Sequence, residues 1–240
     1  MTEPFTVFHH DSIGSTNDEA LRLAREGAPH GTVVHADQQT AGRGRLAHTW
    51  HSPAGNLHMS VLLRTGHPPQ RTAELSFLAA LAVADTVETL LPPQSRAVLK
   101  WPNDVLVNGG KIAGILLEQA DADAIILGIG LNVLEAPSNL ALKTTTVVAS
   151  GGIASVDSAR DIVLQQLGRR LATWQEEGFT PIREEWLQRS FPIGSPIRTN
   201  AAGEPVTGEF AGLDPDGALL LDTQEGRRRI VAGEIVALVA

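Results

Sequence analysis

Residues 100–118 read KWPNDVLVNGGKIAGILLE, from Lys100 to Glu118. Two apolar runs, Val105–Val107 and Lys111–Glu118, flank Asn108-Gly109-Gly110, whose tight-turn chemistry predicts a pair of strands joined by a hairpin. Ala97–Lys100 reads as the strand before them. Pro102 fixes a turn and keeps the preceding residue extended, which places Trp101 and Asn103-Asp104 at a strand end. Lys111 begins the strand that returns past Asp104. A carboxylate and an ammonium so placed form either a structural ion pair or a site holding a magnesium-bound polyphosphate beside a reacting carboxylate. Gly114 interrupts the returning strand at a cost in sheet stability, which suggests a ligand lying against the backbone.

Outward from this β region the pattern alternates between strands and helices. Ser15 and Thr16 precede Asn17-Asp18-Glu19, a capping signature for a short helix that Gly27 closes. Thr32–Asp37, Leu57–Leu63 and Ala124–Val133 read as strands. Residues 72–91 carry apolar side chains at helical spacing up to Pro92-Pro93, and 157–177 repeat the pattern with Ile162, Leu164, Leu167, Leu171 and Trp174. A shorter helix is expected over 181–189, and 134–152 read as a long mobile loop. Phe191-Pro192-Ile193-Gly194 marks a boundary, after which short strands and turn signals predict a small all-β barrel of about fifty residues. The fold class is therefore α+β, with a catalytic domain at 1–190 and a small β domain at 191–240.

The chain has 240 residues and no cysteine, which excludes disulfides, thiolate metal sites and a cysteine nucleophile. No leader and no long apolar run is present, so a cytoplasmic protein without membrane association is expected. A net charge of -8 argues against a broad grip on nucleic acid. Of 19 basic residues only Lys100, Lys111 and Lys143 are lysines. A lysine retained against that bias is either a candidate for a place needing a compact ammonium or a product of chance, and two of the three fall in one motif.

Two further motifs carry candidate chemistry. In QQTAGRGR, Gly42 and Gly44 free the backbone, and Arg43 and Arg45 can fork onto phosphate or carboxylate oxygens. The same residues also suit a solvated turn. In GIGLNV, Gly128–Val133, two glycines imply either close approach of a ligand or a bulge, and Asn132 offers an amide able to read a purine edge. All eight histidines precede residue 68; His48, His51 and His58 are the spacing one would test for a metal, without a cysteine or clear carboxylate partner.

Taken together, Ser15-Thr16-Asn17, QTAGRGR, KWPND…K-x-AGILLE and GIGLN resemble the biotin protein ligase family in order and spacing, over essentially the whole chain. The resemblance implies a mixed-sheet catalytic domain of class II synthetase-like type and a C-terminal Src-homology-3-like barrel. It implies ATP-dependent formation of biotinyl-5′-AMP, then transfer of biotin to a lysine of the biotin carboxyl carrier protein of acetyl-CoA carboxylase. By the same resemblance, Ser15, Thr16, Asn17 and Gln39 would hold the ureido ring of biotin. Gly42, Arg43, Arg45 and Trp50 would form a lid over biotin and nucleotide, and Lys111 would bind the biotin carboxylate and α-phosphate. Asn103 and Asp104 would orient phosphate or Mg2+, Gly114 and Ile115 would present backbone to biotin, and Asn132 would contact adenine.

Three departures from the family pattern alter these expectations. His48 stands where relatives carry a further basic residue, which would make that charge pH-dependent. Leu238 replaces a basic residue of the last strand, leaving Arg198 as a residue able to reach in from the barrel. Only fourteen residues precede Ser15, so a ligase without DNA binding or repressor activity is expected. Dimerisation through a sheet edge is implied by the resemblance alone. A lipoate or octanoate ligase or transferase of the same fold is the enzyme alternative, and a non-catalytic biotin sensor is the other.

Overall fold

A computed structural model describes residues 5–67, 71–121, 123–137, 143–201 and 204–238. Its larger sheet has seven strands in the order β1-β2-β3-β7-β6-β5-β4. These are β1 (Thr6–Ile13), β2 (Thr32–Gln39), β3 (Leu57–Arg64), β4 (Ala97–Lys100), β5 (Asp104–Val107), β6 (Gly110–Gln119) and β7 (Ala124–Leu131). Only β1 and β2 run parallel; every other neighbouring pair is antiparallel, so the sheet is mixed. The central hairpin forms as the sequence predicts, with Asn108 and Gly109 both at positive φ in the turn.

Strand β1 is not predicted by the sequence pattern. Its residues are almost all exposed, because it is an edge strand with nothing stacked on most of its length. It therefore lacks the apolar alternation by which a half-buried strand is recognised. The pairing of β7 with β3 and β6 runs without a register shift, so the glycines of GIGLN do not mark a bulge.

The two faces of the sheet are covered differently. Helix α1 (Thr16–Arg25) packs Ala20 and Ala24 onto Val34, Leu62, Ala124 and Ile126, a small cluster of its own. Helices α2 (Glu74–Leu90) and α3 (Val156–Glu177) cover the opposite face. Helix α2 is buried on nearly all sides, since it lies between the sheet, α3 and α4 (Phe179–Gln188). Because α1 is only 10 residues long, it leaves the β5–β6–β7 part of its face open, and the main cleft lies there.

The C-terminal unit is a five-stranded antiparallel sheet, ordered β11-β10-β9-β8-β12. Its strands are β8 (Pro196–Ala201), β9 (Glu204–Leu213), β10 (Leu219–Thr223), β11 (Gly226–Ile230) and β12 (Glu234–Leu238). Strands β11 and β12 are its edges. Register shifts in the β9–β10 and β8–β12 pairings bend it. Its apolar residues, among them Phe210, Leu213 and Leu219, merge with the core of the larger unit. Trp101 Nε1 donates to Gly217 O at 3.1 Å, and Arg183 Nε to Asp214 O at 2.8 Å. This unit is thus packed into the body of the protein.

The 134–152 segment is more ordered than its composition suggests. Residues 138–142 lie outside the described residues. Beyond them Thr144 bridges to Lys111, and Val147 N and Val148 N donate to Asn132 O and Val133 O. Buried Val147 joins the core.

Helices α2, α3 and α4 are joined by a four-charge network. Arg170 pairs with Asp85 and Glu185, and Arg189 pairs with the same two carboxylates. Burial pushes the Glu185 carboxyl up, but Arg170 and then Arg189 outweigh it, leaving it below its ordinary 4.5. A carboxylate depressed on folding contributes stability that is complete above its unfolded pKa and lost as the pH falls through the folded value. Arg170→Met should therefore destabilise the protein by about 1–3 kcal/mol near neutral pH. The gap between variant and wild-type urea midpoints should narrow at about pH 3; an equal gap at both pH values would show that the network contributes no charge-dependent stability.

Candidate active site

The cleft encloses about 1150 Å³, more than one drug-sized ligand needs and enough for two co-substrates side by side. Its polar end is built at the N-terminus of α1. Ser15 caps the helix, its Oγ accepting from Asp18 N at 3.4 Å. Thr16 N and Oγ1 both donate to Gln39 Oε1, at 2.8 and 3.0 Å, and Gln39 Nε2 donates to Ser52 Oγ at 2.9 Å. Ser60 Oγ lies 2.8 Å from Thr16 Oγ1 and 2.5 Å from Asn17 Oδ1. Asn17 Nδ2 in turn donates to Glu118 at 2.5 Å. Donors and acceptors are thereby held in fixed directions before any ligand arrives.

The opposite end is cationic. Asp104 is buried, and register sets its neighbours: Lys100 stands across from it on β4 and Gly114 across from it on β6. Its Oδ1 lies 2.6 Å from Lys111 Nζ and its Oδ2 lies 3.0 Å from Lys100 Nζ. Burial alone would raise its pKa, but the two ammoniums outweigh that, and Asp104 lies below its ordinary 3.8. Gly114 makes the approach possible, since a Cβ there would sit 3.3 Å from Lys111 Nζ. Arg45 completes this end, donating from Nη1 to Gly233 O at 2.9 Å. Burial lowers the Arg45 pKa, opposed by Glu234 and Asp104, and a guanidinium remains charged at any physiological pH.

Between the two ends lies Trp50. Its ring rests on the sheet over Gly130, where a Cβ would come within 2.4 Å of Cε2, and beside Gly114, at 3.2 Å from Cζ3. Lys111 Nζ is 5.4 Å from the ring centre, within cation–π reach. The indole Nε1 is buried without a hydrogen-bond partner, a donor waiting for an acceptor. The glycines read as room for a ligand therefore make room first for the protein's own side chains. Gly128 does the same for Asn17, whose Oδ1 would be 2.4 Å from a Cβ.

The 42–50 loop that carries Trp50 is folded. Trp50 N donates to Gly42 O, Gly44 N to His48 O, and Arg43 bridges to Thr49. Leu46 adopts φ 53 within a short 3-10 turn and is exposed, a conformation that costs a leucine roughly 1–2 kcal/mol.

Of the sequence-predicted residues, Ser15, Thr16, Asn17, Gln39, Arg43, Arg45, Trp50, Asn103, Asp104, Lys111, Gly114, Ile115 and Asn132 all line this one cleft. Gly42 does not: it is buried in the loop's base, where a Cβ would meet Ser52 Oγ at 2.5 Å and Trp50 O at 2.7 Å. Arg43 forks onto Asp18 at 2.7 Å, and that bond raises its pKa. Asn103 Nδ2 donates to Ile115 O at 2.6 Å, and Ile115 N donates back to Asn103 O at 3.0 Å, so this pair staples β5 to β6. The Asn132 amide donates to Thr145 O at 3.2 Å, committing it to the loop after β7. Asp104 meets an ammonium on each of its oxygens.

Arg198 is exposed on β8 and lies outside the cleft, because the alternation of the strand turns it outward. The C-terminal sheet reaches the site through Glu234, Ile235 and Val236 instead. His58 is buried against Pro53 O while His48 and His51 border the cleft. Among the described residues, the His and carboxylate side chains close enough to share an ion are His9, Asp11 and Asp37, exposed on β1 and β2. Sequence reasoning assigned no role to Ser60, Ser52 or Asn56. Asn56 Oδ1 accepts from Val133, Leu134 and Glu135 N at 2.9–3.1 Å, pinning the start of the loop that borders the cleft.

The family model for the biotin/lipoate A/B protein ligase family matches residues 10–132, and that for the biotin protein ligase C-terminal domain matches 193–237. The chain is 40% identical over 231 residues to biotin--[acetyl-CoA-carboxylase] ligase of Paracoccus denitrificans, covering 92% of this chain and 96% of that protein. It is 38% identical over 239 residues to the bifunctional ligase/repressor BirA of Bacillus subtilis, covering 95% and 73%. Among solved structures it superposes on biotin protein ligase from Aquifex aeolicus in complex with biotin and ATP with a TM-score of 0.82, at 29% identity, covering 96% and 97% of the two chains.

The contact between Gly130 and Trp50 gives a direct test of the cleft floor. Gly130→Ala should expel the indole and cost about 1–3 kcal/mol through overpacking. Limited proteolysis should then cut the 42–50 loop faster than in wild type. Equal cleavage rates would mean that Trp50 does not anchor the loop.

Proposed function

The chain belongs to the biotin protein ligase family, and we propose that its cleft joins biotin to ATP as biotinyl-5′-AMP and then hands biotin to a carrier lysine. The observation that carries this reading is the meeting of a pre-ordered polar end and a three-cation end, Lys100, Lys111 and Arg45, within one cleft. Biotin fits that division. Its ureido ring takes the hydrogen bonds of Ser15, Thr16, Asn17 and Gln39, and its valeryl chain crosses the apolar floor beside Trp50 with Gly114 and Ile115 beneath. Its carboxylate ends beside Lys111.

The first step needs no protein nucleophile. A carboxylate oxygen attacks the α-phosphorus of ATP, an acyl phosphate bond forms, and pyrophosphate leaves with the electron pair of the broken bond. The barrier is the approach of two anions, and Lys111 and Arg45 lower it by neutralising charge in a partly dry site. Mg2+ would be held by the phosphates of ATP, with Asp104 as the nearby carboxylate able to orient it, and would supply further charge neutralisation there. In the second step a neutral lysine amine of the carrier attacks the acyl carbon and AMP leaves. The proton of that amine passes to solvent or to Asp104, the carboxylate at this end of the cleft. Arg43 and the 42–50 loop lie over the product and shield it from water.

The carrier is a biotin carboxyl carrier protein of acetyl-CoA carboxylase, and ATP as co-substrate supports a cytoplasmic location. The net charge of -8 disfavours a broad DNA-binding surface on this chain. The uncovered β1 edge, with Val7 and Phe8 exposed, is where a second copy would pair.

Pyrophosphate release with biotin and ATP, with lipoate as the control acid, tests the reading: release with biotin and not with lipoate is expected. Lys111→Ala should lower that rate by about 10²–10³-fold while the protein stays folded. A fully active variant would remove Lys111 from its role. Arg45→Gly should let biotinyl-5′-AMP escape, seen as labelling of bystander lysines; labelling at the wild-type level would argue against retention by the loop.

A further inference from the structure

Asp104 is the sole carboxylate in direct contact with Lys111 among the described residues, at 2.6 Å. Left to that one partner, it would cancel the charge Lys111 must present to two anions. Lys100 prevents this. It is buried, its Nζ lies 3.0 Å from the other Asp104 oxygen, and it also donates to Ile235 O of β12 at 3.0 Å. The β12 carbonyl therefore fixes the ammonium in place without adding a negative charge. At this end of the cleft, Lys100, Lys111 and Arg45 face the carboxylates of Asp104 and Glu234. Three cations against two anions leave one net positive charge; without Lys100 the sum is zero.

From this geometry, and resting on the ligase reading above, we propose that Lys100 is a positioning residue for adenylation. It takes half of the Asp104 carboxylate so that Lys111 keeps uncompensated positive charge for the reacting carboxylate and α-phosphate. The choice of lysine follows from the shape of the site. An arginine fork would span both carboxylate oxygens and displace Lys111, whereas a point-like ammonium takes one. In a chain with 16 arginines against three lysines, two of those lysines share this carboxylate.

The test is a cycle of Lys100→Met and Asp104→Asn, read in single-turnover formation of biotinyl-5′-AMP and in biotin affinity measured separately. K100M alone should slow adenylation by about 10- to 100-fold. Biotin affinity should fall by much less than the adenylation rate, since the ureido end is untouched. Once Asp104 is neutral, Lys100 has no charge to share. K100M in the D104N background should therefore cost little beyond D104N itself, and the double variant should be faster than K100M. It carries no unpaired buried carboxylate, so its comparison with D104N stands even if K100M alone folds poorly. An equal loss from K100M in both backgrounds, or a double variant no faster than K100M, would overturn the proposal. A wild-type protein that releases no pyrophosphate with biotin would remove the ligase reading itself, before any variant is compared.

Discussion

Asp104 is almost wholly withdrawn from water, and an unpaired carboxylate there would be penalised by several kcal/mol. Its presence therefore requires cations at fixed places, and the strands supply them. β4 brings Lys100 opposite, β6 brings Lys111 back past Gly114, and β12 of the C-terminal sheet caps Lys100 through a carbonyl. Each of these is a consequence of register. A slip of one residue in β5 would turn Asp104 to the α2 face and leave two lysines without a counter-ion. The Asn103–Ile115 staple is placed one residue from that risk, which gives its two hydrogen bonds a purpose beyond the sheet ladder.

The same economy of space governs the floor of the cleft. Three glycines on adjacent strands share the face that α1 leaves open, and each admits a particular side chain: Asn17 over Gly128, Trp50 over Gly130, Lys111 beside Gly114. A sheet lined with side chains would hold these groups above the surface, out of reach of one another. Lowered onto backbone, they come within hydrogen-bond and cation–π distance while the cleft stays open above them. The weak sheet propensity of glycine is the cost of that arrangement, and the burial of β7 on its other face by Ile125, Leu127 and Ile129 offsets it.

Much of this was legible in the sequence because local chemistry and function coincide. The Asn-Gly-Gly turn, the capping Ser15 and the helical spacing at 72–91 each carry a local signal, and all three elements form within a residue or two of expectation. The scarcity of lysine pointed to Lys100 and Lys111 before any geometry, though not to the carboxylate they share. What escaped did so for physical reasons. Strand β1 is an edge with no buried face. Asn56 and Ser60 act through partners 43 to 79 residues away, a distance no local pattern spans. The glycines announced a close approach correctly, but composition cannot distinguish a ligand from the protein's own indole. Asn103 and Asn132, expected from motif position to contact ligand, line the cleft and also give their amides to backbone carbonyls, which motif position did not reveal.

The C-terminal sheet reads from sequence as an appendage, and its contacts argue otherwise. Gly217 meets Trp101 and Phe77, Ile235 meets Lys100, and Gly233 meets Arg45. Trp101, Phe77 and Lys100 belong to the larger unit, and Arg45 to the loop over the cleft. One small unit thus touches the fixed cations and the covering loop at once, through main-chain carbonyls whose positions depend on its fold rather than on any one of its side chains. That explains how β12 serves the site without Arg198 reaching in. Carbonyl dipoles hold lysine and arginine heads in place while leaving their full charge for the cleft, where a carboxylate in the same position would have neutralised them.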